Sequence, residues 1–282
     1  MSAAAAEAPG GAASGGMVRA VVCDLDGTVY LGGTPIPGSP EAIARLREGG
    51  VRVLFVSNNP TRTASDYADR LSGMSIPTRP DDVLTSGGVT ARWLAAEHPD
   101  ARVYVIGEQS LVGELLAAGV RLASDDDAPD ADIVLAAFDR TFTYTKWERA
   151  HQALLRGALF VATNPDAACP VDGGGTIPDC AGVTAGLTAT TGRALDVVVG
   201  KPSAIMAAAI LGVTGTRASE TLAVGDRVAT DVELATANGF AGALVLSGVT
   251  TAEQAAALPD DVAVLGSLAD LPAHLGLAQA AV

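Results

Sequence analysis

The feature that most constrains the fold is a valine-rich apolar run at residues 18–23, which ends in Asp24-Leu25-Asp26-Gly27-Thr28. A short apolar run is typical of a strand buried on both faces of a parallel sheet. Side chains two residues apart lie on one side of a strand, so Asp24 and Asp26 can both face one ligand. Two carboxylates this close repel each other unless a cation or a shared proton lies between them. The stretch indicates a Mg²⁺-assisted phosphate site, with an ordinary strand and Asp-Gly turn as the alternative.

The segments after this strand alternate between helical and strand patterns. A helical pattern at residues 40–50 ends in two glycines, and a second β-branched run at residues 51–56 ends in Ser57-Asn58-Asn59. A helix is predicted from about residue 61 to residue 71. The order strand, helix, strand, helix predicts a Rossmann-like, doubly wound parallel sheet. Ligands of such sheets lie beyond the carboxyl ends of the strands, where the polar residues are.

Residues 87–190 contain a second series of alternating elements and are predicted to form an inserted α/β domain. This block of about 100 residues has the size of a small domain. A turn-rich segment at residues 164–182 closes it, and the parallel-sheet pattern is expected to resume at Val197-Val198-Val199. The predicted core therefore comprises residues 17–86 and 191–282.

The composition limits the partners of the chain. Its net charge is −14, and its 18 basic residues are scattered rather than clustered. Such a surface repels nucleic acid and anionic membranes, so we expect neither as a partner. No apolar run approaches the roughly 20 residues that span a bilayer. An anionic ligand must therefore be captured locally, by a metal ion or a helix N-terminus.

The N-terminal segment and the cysteines both bear on the cellular location of the protein. Residues 1–16 are mostly Ala, Gly, Ser and Pro, and they predict a disordered tail without the features of a signal peptide. Met17 is an alternative natural start. An odd number of cysteines, Cys23, Cys169 and Cys180, favours reduced thiols and a cytoplasmic location, although the spacing leaves a Cys169–Cys180 bridge open.

Two more polar clusters follow strand-like runs in the last third of the chain. Lys201 lies in Gly200-Lys201-Pro202, and Asp226 follows the run at residues 221–225, with Asp231 five residues later. A phosphate-binding P-loop is excluded, because Pro202 stands where that motif requires Ser or Thr. With Asp24 and Ser57, four polar clusters lie at predicted strand ends.

These four clusters, in this order, resemble the motifs of the haloacid-dehalogenase-like phosphatases. The long insertion between the second and third motifs resembles the subfamily with a type II cap, as does Asn164-Pro165-Asp166 within it. That subfamily includes p-nitrophenyl, phosphoglycolate, glycerol-3-phosphate, pyridoxal-phosphate and nucleotide phosphatases. The motifs are, from first to fourth, Asp24 to Thr28, Ser57-Asn58-Asn59, Lys201, and Asp226 to Asp231.

The resemblance implies a role for the first and last motifs that also makes chemical sense. Asp24 is the candidate nucleophile, because a carboxylate can attack phosphorus and split hydrolysis into two easier steps. Asp26 is the candidate general acid that protonates the leaving alcohol and then activates water. Mg²⁺ is expected on Asp24, a backbone oxygen of Asp26, and Asp226.

The remaining residues are expected to hold the phosphate and the rest of the substrate. Lys201 balances the charge of Asp24 and of the transferring oxygens. Asp231 orients either Lys201 or a metal-bound water. The substrate-binding candidates are Ser57, Asn58 and Asn59 in the core and Asp166 in the cap.

The sequence therefore predicts a Mg²⁺-dependent phosphatase for a small phosphorylated metabolite, with an α/β cap over a Rossmann-like core. Glycerol 3-phosphate and 2-phosphoglycolate are the favoured substrates, with pyridoxal phosphate and nucleoside monophosphates as alternatives. A catalytically inactive phosphate-sensing protein on the same fold is the alternative of a different class. A homodimer is an open expectation.

Overall fold

A computed structural model of the chain describes residues 17–171 and 175–277, so the predicted tail at residues 1–16 lies outside the described residues. Most of its strands form two parallel sheets. The strands are β1 (Ala20–Cys23), β2 (Tyr30–Leu31), β3 (Thr34–Pro35), β4 (Arg52–Ser57), β5 (Val83–Thr85), β6 (Arg102–Ile106), β7 (Arg121–Leu122), β8 (Ile133–Ala136), β9 (Leu159–Ala162), β10 (Ala168–Pro170), β11 (Thr176–Pro178), β12 (Val197–Val198), β13 (Thr221–Gly225), β14 (Ala241–Val245) and β15 (Val262–Leu265).

Helices connect these strands and cover the sheets. Six of the described α-helices begin with a side-chain cap, among them a capping box of Thr63 and Asp66 and a Ser203 cap. The helices are α1 (Ser39–Glu48), α2 (Ala64–Gly73), α3 (Ser86–Glu97), α4 (Gln109–Ala117), α5 (Tyr144–Leu155), α6 (Cys180–Thr191), α7 (Ala204–Thr214), α8 (Glu233–Asn238), α9 (Ala252–Ala255) and α10 (Leu271–His274).

The larger sheet has the order β15-β14-β13-β1-β4-β5, and its strand pairs are parallel. The central strand β1 pairs with β13 on one side and with β4 on the other. The smaller sheet has the order β12-β9-β8-β6-β7 and is also parallel. The α/β fold with a doubly wound parallel sheet is therefore confirmed.

The two sheets share an apolar layer, because their strands alternate in the direction of their side chains. In β1, Val22 points into the layer that also contains Leu135 of β8, and Val21 points to the opposite face of the larger sheet. In β8, Val134 points to the far face of the smaller sheet. Helices α3 and α7 lie in the shared layer and contact each other. The division into a core and a cap at residues 87 and 190 stays a prediction.

The expectation that the larger sheet resumes at Val197 is wrong. Val197–Val198 is β12, which pairs with β9 in the smaller sheet, and the larger sheet resumes at Thr221. A run of valines indicates a buried strand but does not say which sheet the strand joins. Helix α6 also begins at Cys180, inside the segment that was predicted to be turn-rich.

The helices and the cysteines bear on the expectations about membranes and disulfides. Within the described ranges, no helix has the length and apolar character that a bilayer crossing requires. Cys23, Cys169 and Cys180 are all free thiols, so the structure contains no bridge between the last two.

Candidate active site

The fold brings three of the predicted polar clusters to neighbouring strand ends. Asp24 follows β1, Ser57 is the last residue of β4, and Asp226 follows β13. Because β4, β1 and β13 are adjacent, these residues lie side by side at one edge of the larger sheet. The loop between β12 and α7 adds Lys201 to the same edge. Asp24, Ser57 and Lys201 line a cleft of about 50 Å³, called here the phosphate cleft.

Lys201 connects two carboxylates at the centre of this cleft. Its Nζ donates to Asp24 Oδ1 at 2.5 Å and to Asp231 Oδ1 at 2.6 Å, and the lysine side chain is 4% exposed. Burial acts to lower the pKa of Lys201, but Asp231 and Asp24 outweigh it and raise the pKa above its usual range. The lysine is therefore a fixed positive charge beside the candidate nucleophile.

Three carboxylates next to Lys201 form a group that fits a cation. One oxygen each of Asp24, Asp226 and Asp231 lies within 4.8 Å of the others. Asp231 is fully engaged, since its second oxygen accepts from the Arg227 backbone N–H at 3.1 Å. Asp226 Oδ2 accepts from the Val249 backbone N–H at 2.7 Å. Its Oδ1 is buried and has no hydrogen-bond partner among the described residues, which is the situation that a metal ion relieves.

The acidity of Asp226 supports the same conclusion. Burial, followed by the Asp231 charge, raises the pKa of Asp226 to about 6. A carboxylate whose charged form is disfavoured in this way gains from a nearby cation. Two glycines leave room around it: a Cβ would lie 2.4 Å from Asp226 Oδ2 at Gly27 and 2.0 Å at Gly248.

Asp26 is not one of the three carboxylates that form the group described above. The Tyr30 hydroxyl donates to Asp26 Oδ2 at 3.4 Å, and the Arg70 guanidinium carbon lies 4.5 Å from the centre of the Tyr30 ring. Arg70 also donates to the Gly32 carbonyl. Burial raises the pKa of Asp26, which Arg70 and then Tyr30 oppose. Asp26 lines the phosphate cleft.

Ser57 and Asn59 line the cleft on the side of α2. Ser57 Oγ donates to the Tyr67 hydroxyl at 3.1 Å and accepts from the Asn59 backbone N–H at 3.2 Å. Asn59 Oδ1 accepts from the backbone N–H of Thr61 at 2.9 Å. Helix α2 thus supports Ser57 through Tyr67 and, one turn later, supports Tyr30 through Arg70.

Asp166 and Asn58 join the cleft to the segment before β10. Asn58 Nδ2 donates to Asp166 Oδ2 at 2.8 Å, and Asn164 Nδ2 donates to the same oxygen at 2.9 Å. Arg227 Nη1 donates to Asp166 Oδ1 at 3.3 Å. Both oxygens of Asp166 are therefore engaged by protein groups, although the residue lines the cleft.

Sequence reasoning assigned no role to Arg227, Tyr30, Tyr67 or Arg70. Arg227 stands directly after Asp226, and this adjacency was a usable signal for its place in the cleft. No local pattern distinguishes Tyr67 and Arg70 from other residues of an amphipathic helix. Asp179 also lines the cleft, and its Oδ1 accepts from Asn164 at 3.1 Å and from the Cys180 N–H at 2.6 Å.

Comparison with known proteins agrees with this geometry. The sequence profile of haloacid dehalogenase-like hydrolases matches residues 21–121, and an HAD-hydrolase-like profile matches residues 198–271. The 5′-nucleotidase YutF of Bacillus subtilis is 37% identical over 83% of this chain and 90% of that protein. The sugar-phosphatase AraL of Bacillus subtilis is 36% identical over 89% of this chain and 91% of that protein.

A solved structure extends the comparison to the whole fold. The p-nitrophenyl phosphatase from Archaeoglobus fulgidus superposes with a TM-score of 0.84 at 34% sequence identity. The match covers 91% of this chain and 99% of that chain. The likeness therefore includes the smaller sheet as well as the larger one.

Proposed function

The chain belongs to the haloacid dehalogenase-like hydrolase family and is a phosphatase of that family, and we propose that it acts through an aspartyl-phosphate with Mg²⁺ as cofactor. The observation that carries the proposal is Lys201, which lies between Asp24 and Asp231 beside Asp226. This arrangement supports a carboxylate nucleophile held next to a fixed positive charge. The catalytically inactive alternative is not retained, because the relatives are enzymes.

Asp24 carries out the first chemical step. One of its carboxylate oxygens forms a bond to phosphorus while the bond between phosphorus and the alcohol oxygen breaks. Asp26 gives its proton to the departing alcohol oxygen. Lys201 and Ser57 face the transferring oxygens and stabilise their charge. In the second step Asp26 takes a proton from water, the water oxygen attacks phosphorus, and the bond to Asp24 breaks to release phosphate.

Asp24, Asp226 and a backbone oxygen of Asp26 would hold the Mg²⁺ ion. When bound, the ion neutralises charge on the phosphoryl oxygens, so that an anionic nucleophile can approach them. The partnerless Asp226 Oδ1 supports this assignment. Asp231 is proposed to position Lys201 rather than a water, since both of its oxygens accept from protein groups.

A small phosphorylated metabolite is the proposed substrate. YutF is named a 5′-nucleotidase, which supports the nucleoside monophosphates, and AraL is named a sugar phosphatase, so sugar phosphates join glycerol 3-phosphate, 2-phosphoglycolate and pyridoxal phosphate as candidates. Substrate contacts of Asn58, Asn59 and Asp166, the cytoplasmic location and a homodimer remain predictions.

Trapping the phosphoenzyme tests the covalent mechanism. Acid quenching during turnover of radiolabelled p-nitrophenyl phosphate should leave label on the wild-type protein, and hydroxylamine should remove it as it does from acyl phosphates. Asp24→Asn should carry no label and lose about three orders of magnitude in turnover. Exposed Asp81, outside the cleft, supplies the control Asp81→Asn, which should behave as wild type. If Asp24→Asn keeps more than about a tenth of the activity, the mechanism is wrong.

A further inference from the structure

A cavity lined by arginines lies at the edge of the larger sheet opposite to the phosphate cleft. Its volume is about 320 Å³, and we call it the arginine cavity and define it by Arg47, Gly50, Arg52, Arg79 and Asp82. Arg47 lies in the last turn of α1, and Arg52 is the first residue of β4. Arg79 directly precedes the short turn at residues 80–82 before β5. The fold thus brings together basic residues that are scattered along the sequence.

The arginine cavity is separate from the phosphate cleft. Arg52 and Ser57 are the first and last residues of β4, and a strand rises about 3.3 Å per residue, so the two ends lie about 17 Å apart. No described residue lines both spaces. A ligand in the arginine cavity therefore leaves the place of the transferred phosphoryl group open.

The charge of this cavity is opposite to the charge of the chain. The chain has 32 acidic and 18 basic residues, whereas the described lining of the arginine cavity has three cations and one anion. A concave space lined by an excess of one charge concentrates ligands of the opposite charge. The cavity is therefore a place where an anion is attracted, on a protein whose net charge repels anions.

Two of the three guanidinium groups keep most of their donors for a ligand. The side chain of Arg52 is exposed and has no hydrogen bond or ion pair with any described residue. Arg47 Nη1 donates to the Pro77 carbonyl oxygen at 2.7 Å, and its guanidinium carbon lies 5.9 Å from the centre of the Phe55 ring. These contacts hold Arg47 in place and use only one of its five N–H donors.

The third guanidinium has a weakly held partner. Arg79 Nε lies 3.2 Å from Asp82 Oδ2, and the Arg79 side chain is 75% exposed. An ion pair with such an exposed member contributes little, because water and salt screen it. An anionic ligand can therefore compete with Asp82 for the guanidinium of Arg79.

The end of helix α1 accounts for only one of these arginines. A cation in the last turn of a helix is favoured by the helix dipole, and Arg47 has that position. Arg52 lies in a strand and Arg79 lies before a turn, so neither gains from a helix end. Their meeting with Arg47 around one concave space has its explanation in a ligand.

We propose that the arginine cavity is a second anion site, which binds a small phosphate compound with at least two negative charges. The planar guanidinium matches phosphate oxygens with two parallel hydrogen bonds, and a dianion balances the two excess positive charges of the lining. Small organic ligands occupy roughly 300–1,000 Å³, so this cavity also has room for an organic part or a second phosphoryl group. The proposal does not depend on the proposed function.

Calorimetric titration of the metal-free protein with methylenediphosphonate tests the proposal, because a phosphatase does not hydrolyse the P–C–P bridge of this probe. Without metal, four acids and two cations line the phosphate cleft, which therefore repels the probe. One equivalent should bind, and the Kd should rise about fivefold or more between about 0.05 M and about 0.5 M NaCl. Inorganic phosphate is the second probe. Weaker binding of phosphate identifies an organic or condensed phosphate as the ligand, and equal binding identifies free phosphate.

Variants of opposite expected sign assign the binding to the cavity. Arg52→Gln should raise the Kd about fivefold or more, and Asp82→Asn should lower it about threefold because it frees Arg79. Arg121 is exposed and lies outside both spaces, so Arg121→Gln is the matched control without effect. Ser57→Ala changes the phosphate cleft and should leave the Kd within about twofold.

Three results would overturn the proposal: no binding to the wild-type protein, a wild-type Kd in Arg52→Gln, or weaker binding in Asp82→Asn. Loss of binding in Ser57→Ala alone would place the probe in the phosphate cleft and would also overturn it. Urea unfolding checks that Arg52→Gln and Asp82→Asn are folded, as the exposed and half-buried positions of these residues lead us to expect.

Discussion

Asn58 donates a 2.8 Å hydrogen bond to Asp166 with its side-chain nitrogen and accepts a 2.8 Å bond from the Lys201 backbone N–H with its side-chain oxygen. One carboxamide thus joins the end of β4, the loop before α7 and the segment before β10. Because Lys201 holds Asp24, the position of Asp166 is linked to the position of the proposed nucleophile through three consecutive contacts. This link predicts how variants of Asp166 should behave.

Asp166→Ala removes the acceptor of Asn58, Asn164 and Arg227, so we expect weaker closure over every substrate. KM should rise about tenfold for all substrates, including p-nitrophenyl phosphate, because a charge-assisted hydrogen bond contributes roughly 1.5–3 kcal/mol. Thr143→Ala is the control. Thr143 caps helix α5 and lies outside the cleft, so this variant should lose about 1 kcal/mol of helix-cap stability without the rise in KM.

Steady-state kinetics on three or more substrates distinguish the two possible roles of Asp166. A uniform rise in KM identifies a residue that holds the segment before β10 against the larger sheet. A change in the ranking of substrates would instead show that Asp166 touches the leaving group, as the sequence predicted.

Removal of Mg²⁺ should abolish activity, and adding it back should restore it. Ca²⁺ should inhibit, because its larger and more flexible shell misplaces the attacking oxygen. Calorimetric titration of Mg²⁺ into the protein checks binding without turnover, and Asp226→Asn should weaken it strongly because Asp226 Oδ1 is the proposed ligand atom, a buried oxygen without a hydrogen-bond partner among the described residues. Full activity in EDTA would contradict the Mg²⁺ assignment.

Lys201→Met should destabilise the protein in the absence of metal. It leaves the buried Asp231 and the half-buried Asp24 without their common cation, and breaking such a pair costs about 3–5 kcal/mol. Adding Asp231→Asn removes one of the two charges and should recover about half of the loss. Urea unfolding in EDTA measures both variants. Equal stability of the single and double variants would show that the Lys201–Asp231 contact contributes little.

Glu114 should make stability depend on pH. Burial raises its pKa from 4.5 to about 7, an effect that Arg92 opposes. The folded state therefore binds more protons than the unfolded state between these values, and stability should fall as pH rises through this window. Since the group is partly exposed, the loss above pH 7 should be about 1–2 kcal/mol.

Glu114→Gln tests this dependence. Urea unfolding should show the variant to be more stable than wild type at pH 8 and nearly equal to it at pH 4. The exposed Glu97→Gln should follow wild type at both values. A Glu114→Gln curve parallel to that of wild type would mean that Glu114 ionises normally in the folded protein.

The sequence predicted the position of the site because of one rule about parallel sheets. Asp24, Ser57 and Asp226 each follow an apolar run, and the runs turn out to be neighbouring strands. Lys201 was found by its motif, although the strand before it belongs to the other sheet. Hydrophobic periodicity and strand propensity indicate how a segment is buried but not which strand it pairs with. The sheet that β12 joins could therefore not be predicted.

Supporting contacts were harder to predict because they join residues with no local signal. The bond between Arg227 and Asp166 spans 61 residues, and the bond between Asn58 and Asp166 spans 108. Such features follow from tertiary packing, which a single sequence does not state.

Helix α2 supports two separate parts of the cleft through two of its residues. Tyr67 holds the hydroxyl of Ser57, and Arg70, three positions later, holds the hairpin of Tyr30 and with it Asp26. The proposed phosphate-binding hydroxyl and the proposed general acid are thus both supported by one helix. A displacement of α2 would move both groups together. Phosphate binding and proton transfer would therefore change at the same time and not one without the other.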